Sequence, residues 1–163
     1  MIFLTVGTQF SFERLVRRVD EIVGGGGFNE EIFAQIGPGT YRPRNFKFAE
    51  YIDKAQFDKL FNKAKGIVGH AGMGTIIAAL QLGKPLLVMP RLAKYGEVVN
   101  DHQLAIAGKF QKHGYLLAAF DESQLGDKLR ELSSFVPRTT QSDIGAITAA
   151  IKKIIGQVES SAG

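Results

Sequence analysis

The sequence contains no cysteine, and it has no apolar run long enough to cross a membrane. Without cysteine among its 163 residues, disulfides and thiolate metal sites are excluded, and we expect a reducing compartment. No segment approaches the ~18 consecutive apolar residues of a membrane-spanning helix. The chain opens on the strand-like segment 2–6 where a secreted protein would carry a signal peptide. These absences predict a soluble cytoplasmic protein.

The sequence also lacks the charge pattern of a nucleic-acid-binding protein. Its net charge of +4 is modest, and its basic residues are spread along the chain apart from a small cluster of Arg42, Arg44 and Lys47. A nucleic-acid surface normally has a denser basic stripe with exposed aromatic residues. The charge fits an acidic small ligand or a nearby acidic membrane surface equally well.

The sequence lacks common motifs for three kinds of ligand: a metal ion, a nicotinamide cofactor and a nucleoside triphosphate. The sequence has no Asp-x-Asp, His-x-x-x-His or carboxylate cluster for a metal ion. The glycines at 69, 72 and 74 do not form Gly-x-Gly-x-x-Gly, so a nicotinamide cofactor is disfavoured. The segment 83–85, Gly-Lys-Pro, lacks the Ser or Thr and the upstream glycine of a P-loop.

Strand-like and helix-like segments alternate along the chain, which predicts an α/β fold with a doubly wound parallel sheet. The expected strands are residues 2–6, 31–36, 45–51, 66–68, 85–89 and 115–120. The expected helices are residues 12–23, 56–65, 75–82 and 101–113, one that Ser123 caps and that uses Leu125, Leu129 and Leu132, and a last one that uses Ile144, Ile147, Ile151, Ile154, Ile155 and Val158. We expect one domain over residues 1–158 and a disordered tail at 159–163.

A glycine-rich loop at residues 69–75, Gly-His-Ala-Gly-Met-Gly-Thr, joins an apolar strand to a helix. Glycines let the backbone turn and approach a ligand closely, and the free N–H groups at a helix N-terminus attract anions. The loop therefore predicts a phosphate site. A tight strand-to-helix turn without a ligand is the alternative.

Four segments together carry a family resemblance: residues 4–9, the loop at 69–75, residues 83–91, and residues 94–103 with Lys-Tyr-Gly-Glu and Asn-Asp-His-Gln. In this order and spacing they resemble the glycosyltransferase family 28 C-terminal-domain-like subunits, of the Alg13-like and PssE-like type. The last segment is most similar to the bacterial exopolysaccharide members. This resemblance implies the C-terminal-type, nucleotide-sugar-binding half of a GT-B fold, with a Rossmann-like sheet.

The resemblance implies a UDP-sugar as donor substrate, with no cofactor and no metal. His70 is the implied catalytic residue, because its ring can stabilise the charge that grows on the departing β-phosphate. The implied substrate-binding residues are Gly7, Thr8, Gln9, Gly72, Met73, Gly74, Thr75, Asp101, His102 and Gln103. Each group also has a structural interpretation: His70 can satisfy the loop backbone, Gly7 can form a simple turn, and Asn100 or Asp101 can cap a helix.

A complete GT-B enzyme has two such sheets, and this chain has one. The resemblance implies the donor-binding subunit of a two-component, inverting, metal-independent glycosyltransferase that transfers a hexose to a lipid-linked saccharide in polysaccharide or glycan biosynthesis. Its partner would be a membrane-associated, acceptor-binding glycosyltransferase subunit, which would hold this chain at the membrane periphery. Without that partner the chain could pair with itself as a homodimer through its apolar docking face. The alternative is a non-catalytic accessory or scaffolding subunit.

One position departs from the family pattern. There, the helix after the glycine loop carries a glutamate that binds both ribose hydroxyls, and Ala78 aligns with it here. Alanine cannot accept those hydrogen bonds, so Gln81, a water or another side chain would have to replace them. No catalytic base is identified, since Asp53, Glu97 and Asp101 are candidates by position only.

Overall fold

A computed structural model of the chain describes residues 1–138 and the single positions 149, 152, 153 and 156. The strands are β1 (Ile2–Thr5), β2 (Ile32–Gln35), β3 (Lys47–Ala49), β4 (Gly66–His70), β5 (Leu86–Met89) and β6 (Leu117–Ala118). The helices are α1 (Glu13–Gly24), α2 (Lys54–Lys63), α3 (Met73–Gln81), α4 (His102–Lys112) and α5 (Leu125–Leu132), with a 3₁₀ turn at Ala93–Tyr95. The six apolar residues of the last predicted helix and the tail at 159–163 lie outside the described residues.

The six strands form one parallel sheet in the order β3-β2-β1-β4-β5-β6. Strands β2 and β3 lie on one side of β1, whereas the later strands β4, β5 and β6 lie on the other, as in Rossmann-like folds. In such folds, the crevice at this change of side binds ligands. The three central strands β1, β4 and β5 are almost wholly buried. Their continuous apolar runs are typical of strands covered by helices on both faces. The predicted doubly wound α/β fold is confirmed.

Alternate residues along each central strand enter two separate cores. On β1, Leu4 packs on the side of α1 and α5, whereas Phe3 packs on the side of α2, α3 and α4. On β5, Leu87 and Val88 divide between the cores in the same way. Successive side chains of a strand point to opposite faces, so one apolar run supplies both cores.

Two of the predicted boundaries differ in ways that affect the site. Strand β4 continues through Gly69 to His70, because its pairing with β5 extends to the partners His70 and Met89. Helix α3 begins at Met73 instead of Thr75, so that Gly74 lies within its first turn. His70 is therefore held by strand pairing.

The predicted N-cap at Ser123 is wrong. Helix α5 begins at Leu125, and the preceding residue Gln124 has no side-chain capping bond. Asp121 organises this turn instead, because its Oδ1 accepts hydrogen bonds from the backbone N–H groups of Ser123, at 2.8 Å, and Gln124, at 3.3 Å. A carboxylate two residues upstream thus replaces the serine hydroxyl.

All strands are parallel, so their carboxyl ends lie along one edge of the sheet. This edge carries the loops after β1, β2, β4 and β5, and it is called the loop edge below. Among the described residues, no helix is long and apolar enough to span a membrane.

Candidate functional site

His70 ends β4 at the centre of the loop edge, beside the loop after β1. Its ring lies against Gly7, where an added Cβ would be 3.4 Å from His70 Cε1. On its other side the ring lies against Gly72, where a Cβ would be 2.8 Å from Cδ2 and closer still to Nε2. Gly7 also has φ of +78°, which favours glycine. The imidazole fits this gap because neither neighbour has a side chain.

The amino end of α3 lies directly beside the His70 ring. Gly72 occupies the N-cap position and supplies no side chain to the first turn. The N–H groups of Met73, Gly74 and Thr75 are therefore available at the positive end of the helix dipole. This arrangement of a histidine, a glycine cap and an open helix terminus is suited to an anion.

The imidazole of His70 is neutral near neutral pH. Burial, and secondarily the positive charge of Arg91, lower the His70 pKa from 6.5 to about 4. Its Nδ1 is buried and makes no hydrogen bond within the described part of the chain. A neutral imidazole has one N–H donor, so the ring can offer a single hydrogen bond to a ligand.

The loop after β1 is tied to β2 by a short chain of hydrogen bonds. The Thr5 hydroxyl pairs with Gln35 Oε1 at 2.7 Å, and Gln35 Nε2 donates to the Gly7 carbonyl at 3.3 Å. Thr8 and Gln9 follow and are exposed to solvent. Gly7 is thus fixed beside His70, while the two polar side chains predicted with it face outward at the loop edge.

Arg91 joins the loops after β1 and β5. It is 4% exposed, and its Nη2 donates to the carbonyls of Val6 and Phe10, both at 2.7 Å. Its backbone N–H donates to Gln103 Oε1 at 3.1 Å. One buried guanidinium therefore sets the distance between two loops that flank His70.

The loop after β5 is folded around Glu97, which is buried. Glu97 Oε2 accepts the Leu92 backbone N–H at 2.9 Å, and both carboxylate oxygens bind the Arg14 guanidinium of α1. The Tyr95 ring lies under the same guanidinium, with Arg14 Cζ 4.7 Å from the ring centroid. Glu97 therefore orders its own loop and attaches it to α1.

The three polar residues at the start of α4 have separate contacts. Asp101 is exposed, and its Oδ1 accepts the Ala93 N–H at 2.7 Å instead of capping α4. His102 is exposed and its ring pairs with Asn100 Oδ1, which also accepts the His102 N–H at 3.2 Å. Gln103 is 6% exposed and holds Arg91, as described above. Asp101 occupies the N-cap position without a side-chain capping bond and holds the preceding loop, while Asn100 accepts the N–H of the first helical residue, His102.

The three candidate bases also have structural contacts. Asp53 caps α2 by accepting the Gln56 N–H at 2.7 Å, and Glu97 and Asp101 hold the loop after β5. Ala78 lies midway along α3 and packs its partly buried side chain on the core. The described residues contain no group of three or more His, Cys, Asp and Glu side chains that could hold a metal ion.

The sequence did not lead us to expect a role for two residues of this edge, Arg91 and Gln35. Arg91 lies two residues after the end of the buried strand β5, and Gln35 ends β2 at 2% exposure. A polar residue at or just after the end of a buried strand in a parallel sheet lies at the ligand crevice, and this is the signal that could have identified both.

Comparisons with known proteins identify relatives of this chain. The mouse (Mus musculus) protein named UDP-N-acetylglucosamine transferase subunit ALG13 is 32% identical over 124 residues, which are 70% of this chain and 10% of that protein. This chain thus spans about a tenth of the relative's length.

Two solved structures share the fold. The NMR solution structure of ALG13 has a TM-score of 0.58 and 21% identity, covering 86% of this chain and 89% of that one. Acinetobacter baumannii MurG has a TM-score of 0.63 and 18% identity, covering 93% of this chain and 49% of that one. The model of the glycosyltransferase family 28 C-terminal domain matches residues 1–158. The chain therefore belongs to the glycosyltransferase family 28 C-terminal domain family and is an ALG13-like member of it.

Proposed function

We propose that this chain is the donor-binding subunit of a two-component, inverting glycosyltransferase, and that it binds the diphosphate of a UDP-sugar at the loop edge. The observation that carries the proposal is the contact of neutral His70 with Gly72 at the open amino end of α3. The family of the chain and the name of its mouse relative support the reaction class. That name makes UDP-N-acetylglucosamine the first donor to test.

The chemistry follows from where charge develops. As the acceptor oxygen forms its bond to the anomeric carbon, the bond from that carbon to the β-phosphate oxygen breaks and its electron pair stays on the phosphate. The N–H groups of Met73, Gly74 and Thr75, with one hydrogen bond from His70, would stabilise that charge more strongly than the charge of the bound donor. This requires no metal ion and no cofactor. Thr8, Gln9 and the Asp101–Gln103 segment would border the nucleotide and the sugar.

The second subunit would supply the acceptor and the catalytic base. Three apolar side chains on the loops of this edge are open to solvent: Phe10 at 51%, Tyr95 at 51% and Val99 at 94% exposure. We assign them to the interface with a membrane-associated partner that brings a lipid-linked saccharide. Val99→Glu should then weaken the assembly, whereas Val136→Glu, 81% exposed after α5, should not.

Calorimetric titration with UDP and UDP-sugars, for the chain alone and with its partner, tests the donor role. Binding of UDP that is at least about tenfold weaker in His70→Ala is the expected result, because one hydrogen bond to a charged group is lost. Lys112→Ala, an exposed change at the far end of α4, is the control.

A second candidate function is favoured by Ala78, which offers no carboxylate to a ribose. In that case the chain is an accessory or scaffolding subunit that keeps the fold and tunes a catalytic transferase. The two functions separate in the same titration. An accessory subunit would bind its partner without binding UDP in either condition, and that result would overturn the donor role.

A further inference from the structure

Arg91 is a buried cation that contacts no anionic side chain among the described residues. None of the ion pairs among the described residues includes it, although its side chain is only 4% exposed. Its Nη2 is satisfied by two carbonyls, but its Nε is buried and has no hydrogen-bond partner in the described chain. A buried, unpaired donor on a charged group lowers the stability of the fold, so we expect this nitrogen to have a hydrogen-bond partner.

The His70 ring presents the complementary atom. Its Nδ1 is also buried without a partner. Arginine Nε can only donate a hydrogen bond, and the bare nitrogen of a neutral imidazole can only accept one. The two unsatisfied nitrogens are therefore chemically matched.

The backbone places both side chains at the same point of the loop edge. Arg91 donates to the Val6 carbonyl, and His70 lies against the next residue, Gly7. His70 is also paired with Met89 across β4 and β5, two residues before Arg91. The charge of Arg91 acts on the imidazole for this reason.

We propose that Arg91 is a positioning residue for His70: its Nε–H engages His70 Nδ1 through one bridging water, so that the ring carries its hydrogen on Nε2. Nε2 is the ring atom closest to the position that a Cβ on Gly72 would occupy, at the amino end of α3. The single N–H of the ring thereby points to the same place as the helix N–H groups. This inference rests on the proposed function for its purpose, which is to present a neutral donor to phosphate.

The tautomer can be measured on the isolated chain without any ligand. A ¹H–¹⁵N spectrum of protein labelled in its three histidines should show His70 as the Nε2–H tautomer, and His70→Gln identifies its signals. The His70 pKa should be about 4 in the same titration. An Nδ1–H tautomer in the wild-type chain would overturn the proposal, and this result needs no variant.

Two variants separate the charge of Arg91 from its geometry. In Arg91→Gln the His70 signals should shift toward a mixture of tautomers. The His70 pKa should also rise, because the charge of Arg91 no longer lowers it. It should stay below 6.5, because burial is the larger cause of the low pKa and is unchanged. In Arg91→Lys the charge stays, so the pKa should stay low while the tautomer mixes. Lys94→Gln removes an exposed charge from the same loop and should change neither.

A folded Arg91→Gln protein with the wild-type tautomer and pKa would overturn the positioning role. UDP affinity is a separate readout, expected to fall about tenfold in Arg91→Gln. If wild-type protein bound no UDP, alone or with its partner, the proposed function would fail while the tautomer measurement still decided the relation between Arg91 and His70.

Discussion

The Arg14 guanidinium and the Glu97 carboxylate form a two-point ion pair between residues 83 positions apart, with Nε to Oε1 at 2.9 Å and Nη2 to Oε2 at 2.8 Å. Their side chains are only 12% and 9% exposed. Arg14 also donates to the Pro90 carbonyl at 3.0 Å. Helix α1 is thereby attached to the loop after β5 by three hydrogen bonds from one guanidinium.

Glu97→Gln should lower the free energy of unfolding by about 2–3 kcal/mol, because a buried guanidinium loses its charged partner. Denaturant unfolding measures the change. Glu122→Gln is the matched control, since Glu122 is 38% exposed and lies 3.4 Å from the same guanidinium. A loss as large in Glu122→Gln as in Glu97→Gln would mean that burial does not decide the strength of this pair.

Asp20→Asn should loosen the loop between β2 and β3. Asp20 is 3% exposed and accepts hydrogen bonds from Tyr41 Oη at 2.7 Å and from the backbone N–H groups of Arg44, at 3.0 Å, and Asn45, at 2.8 Å. Burial disfavours its charged form, but these hydrogen bonds together outweigh burial and lower the Asp20 pKa below 3.8. We expect a loss of about 2–3 kcal/mol at neutral pH.

The pH dependence gives this prediction a second readout. Since the pKa is lowered in the folded state, ionised Asp20 stabilises the fold above pH 3.8, and this contribution is lost as the pH falls through the folded-state value. The difference between wild type and Asp20→Asn should therefore shrink in acid. Asp58→Asn, which breaks an exposed pair with Lys54, should cost less than about 1 kcal/mol. A constant difference at all pH values would contradict the assignment.

Gly72→Ala should abolish UDP binding while the protein still folds. A Cβ there would lie 2.8 Å from His70 Cδ2, so the ring must leave its place beside α3. Gly108→Ala is the control, because a Cβ at this position in α4 meets nothing within 4 Å. It should raise stability by about 0.5–1 kcal/mol and leave UDP binding unchanged. Wild-type affinity in Gly72→Ala would remove His70 from the phosphate site.

The sequence was sufficient for the features that local pattern determines. The apolar run at residues 2–6 predicted β1, because a strand buried on both faces must be apolar throughout. Glycines around His70 predicted the turn into α3. The predicted strand 66–68 was nevertheless too short, because β4 continues to His70. This extension depends on pairing with Met89 of β5, which the local sequence does not reveal.

The contacts of polar side chains could not be predicted from the sequence for a related reason. Arg91 binds the Val6 carbonyl 85 residues away, and every residue has a carbonyl, so the sequence does not identify the partner. The structural interpretation had either Asn100 or Asp101 as the cap of α4, a role open to any such residue before a helix, but Asp101 binds the Ala93 N–H in the folded loop. Asn100, one residue earlier, accepts the N–H of His102, the first residue of α4.

Ala78→Glu should restore the missing ribose contact and tighten UDP binding. Position 78 lies one turn beyond Gly74 on α3, and a glutamate there could accept hydrogen bonds from two neighbouring hydroxyls. An increase in UDP affinity of about tenfold or more is expected from two such bonds to a charged group. Because Ala78 is partly buried on the core, we also expect a small loss of stability, which thermal unfolding measures.

The control for this change is Ala55→Glu, which adds the same charge to an exposed position of another helix, α2. It should leave UDP affinity unchanged, so that a gain in Ala78→Glu cannot come from net charge. Two further ligands test the contact itself. Deoxy-UDP lacks a ribose hydroxyl, so the gain in affinity should disappear with it. UMP keeps both hydroxyls and lacks the β-phosphate, so the gain should remain. If Ala78→Glu folded but bound UDP no better than wild type, the nucleotide would not reach this face of α3, and the accessory role would become the better account of the chain.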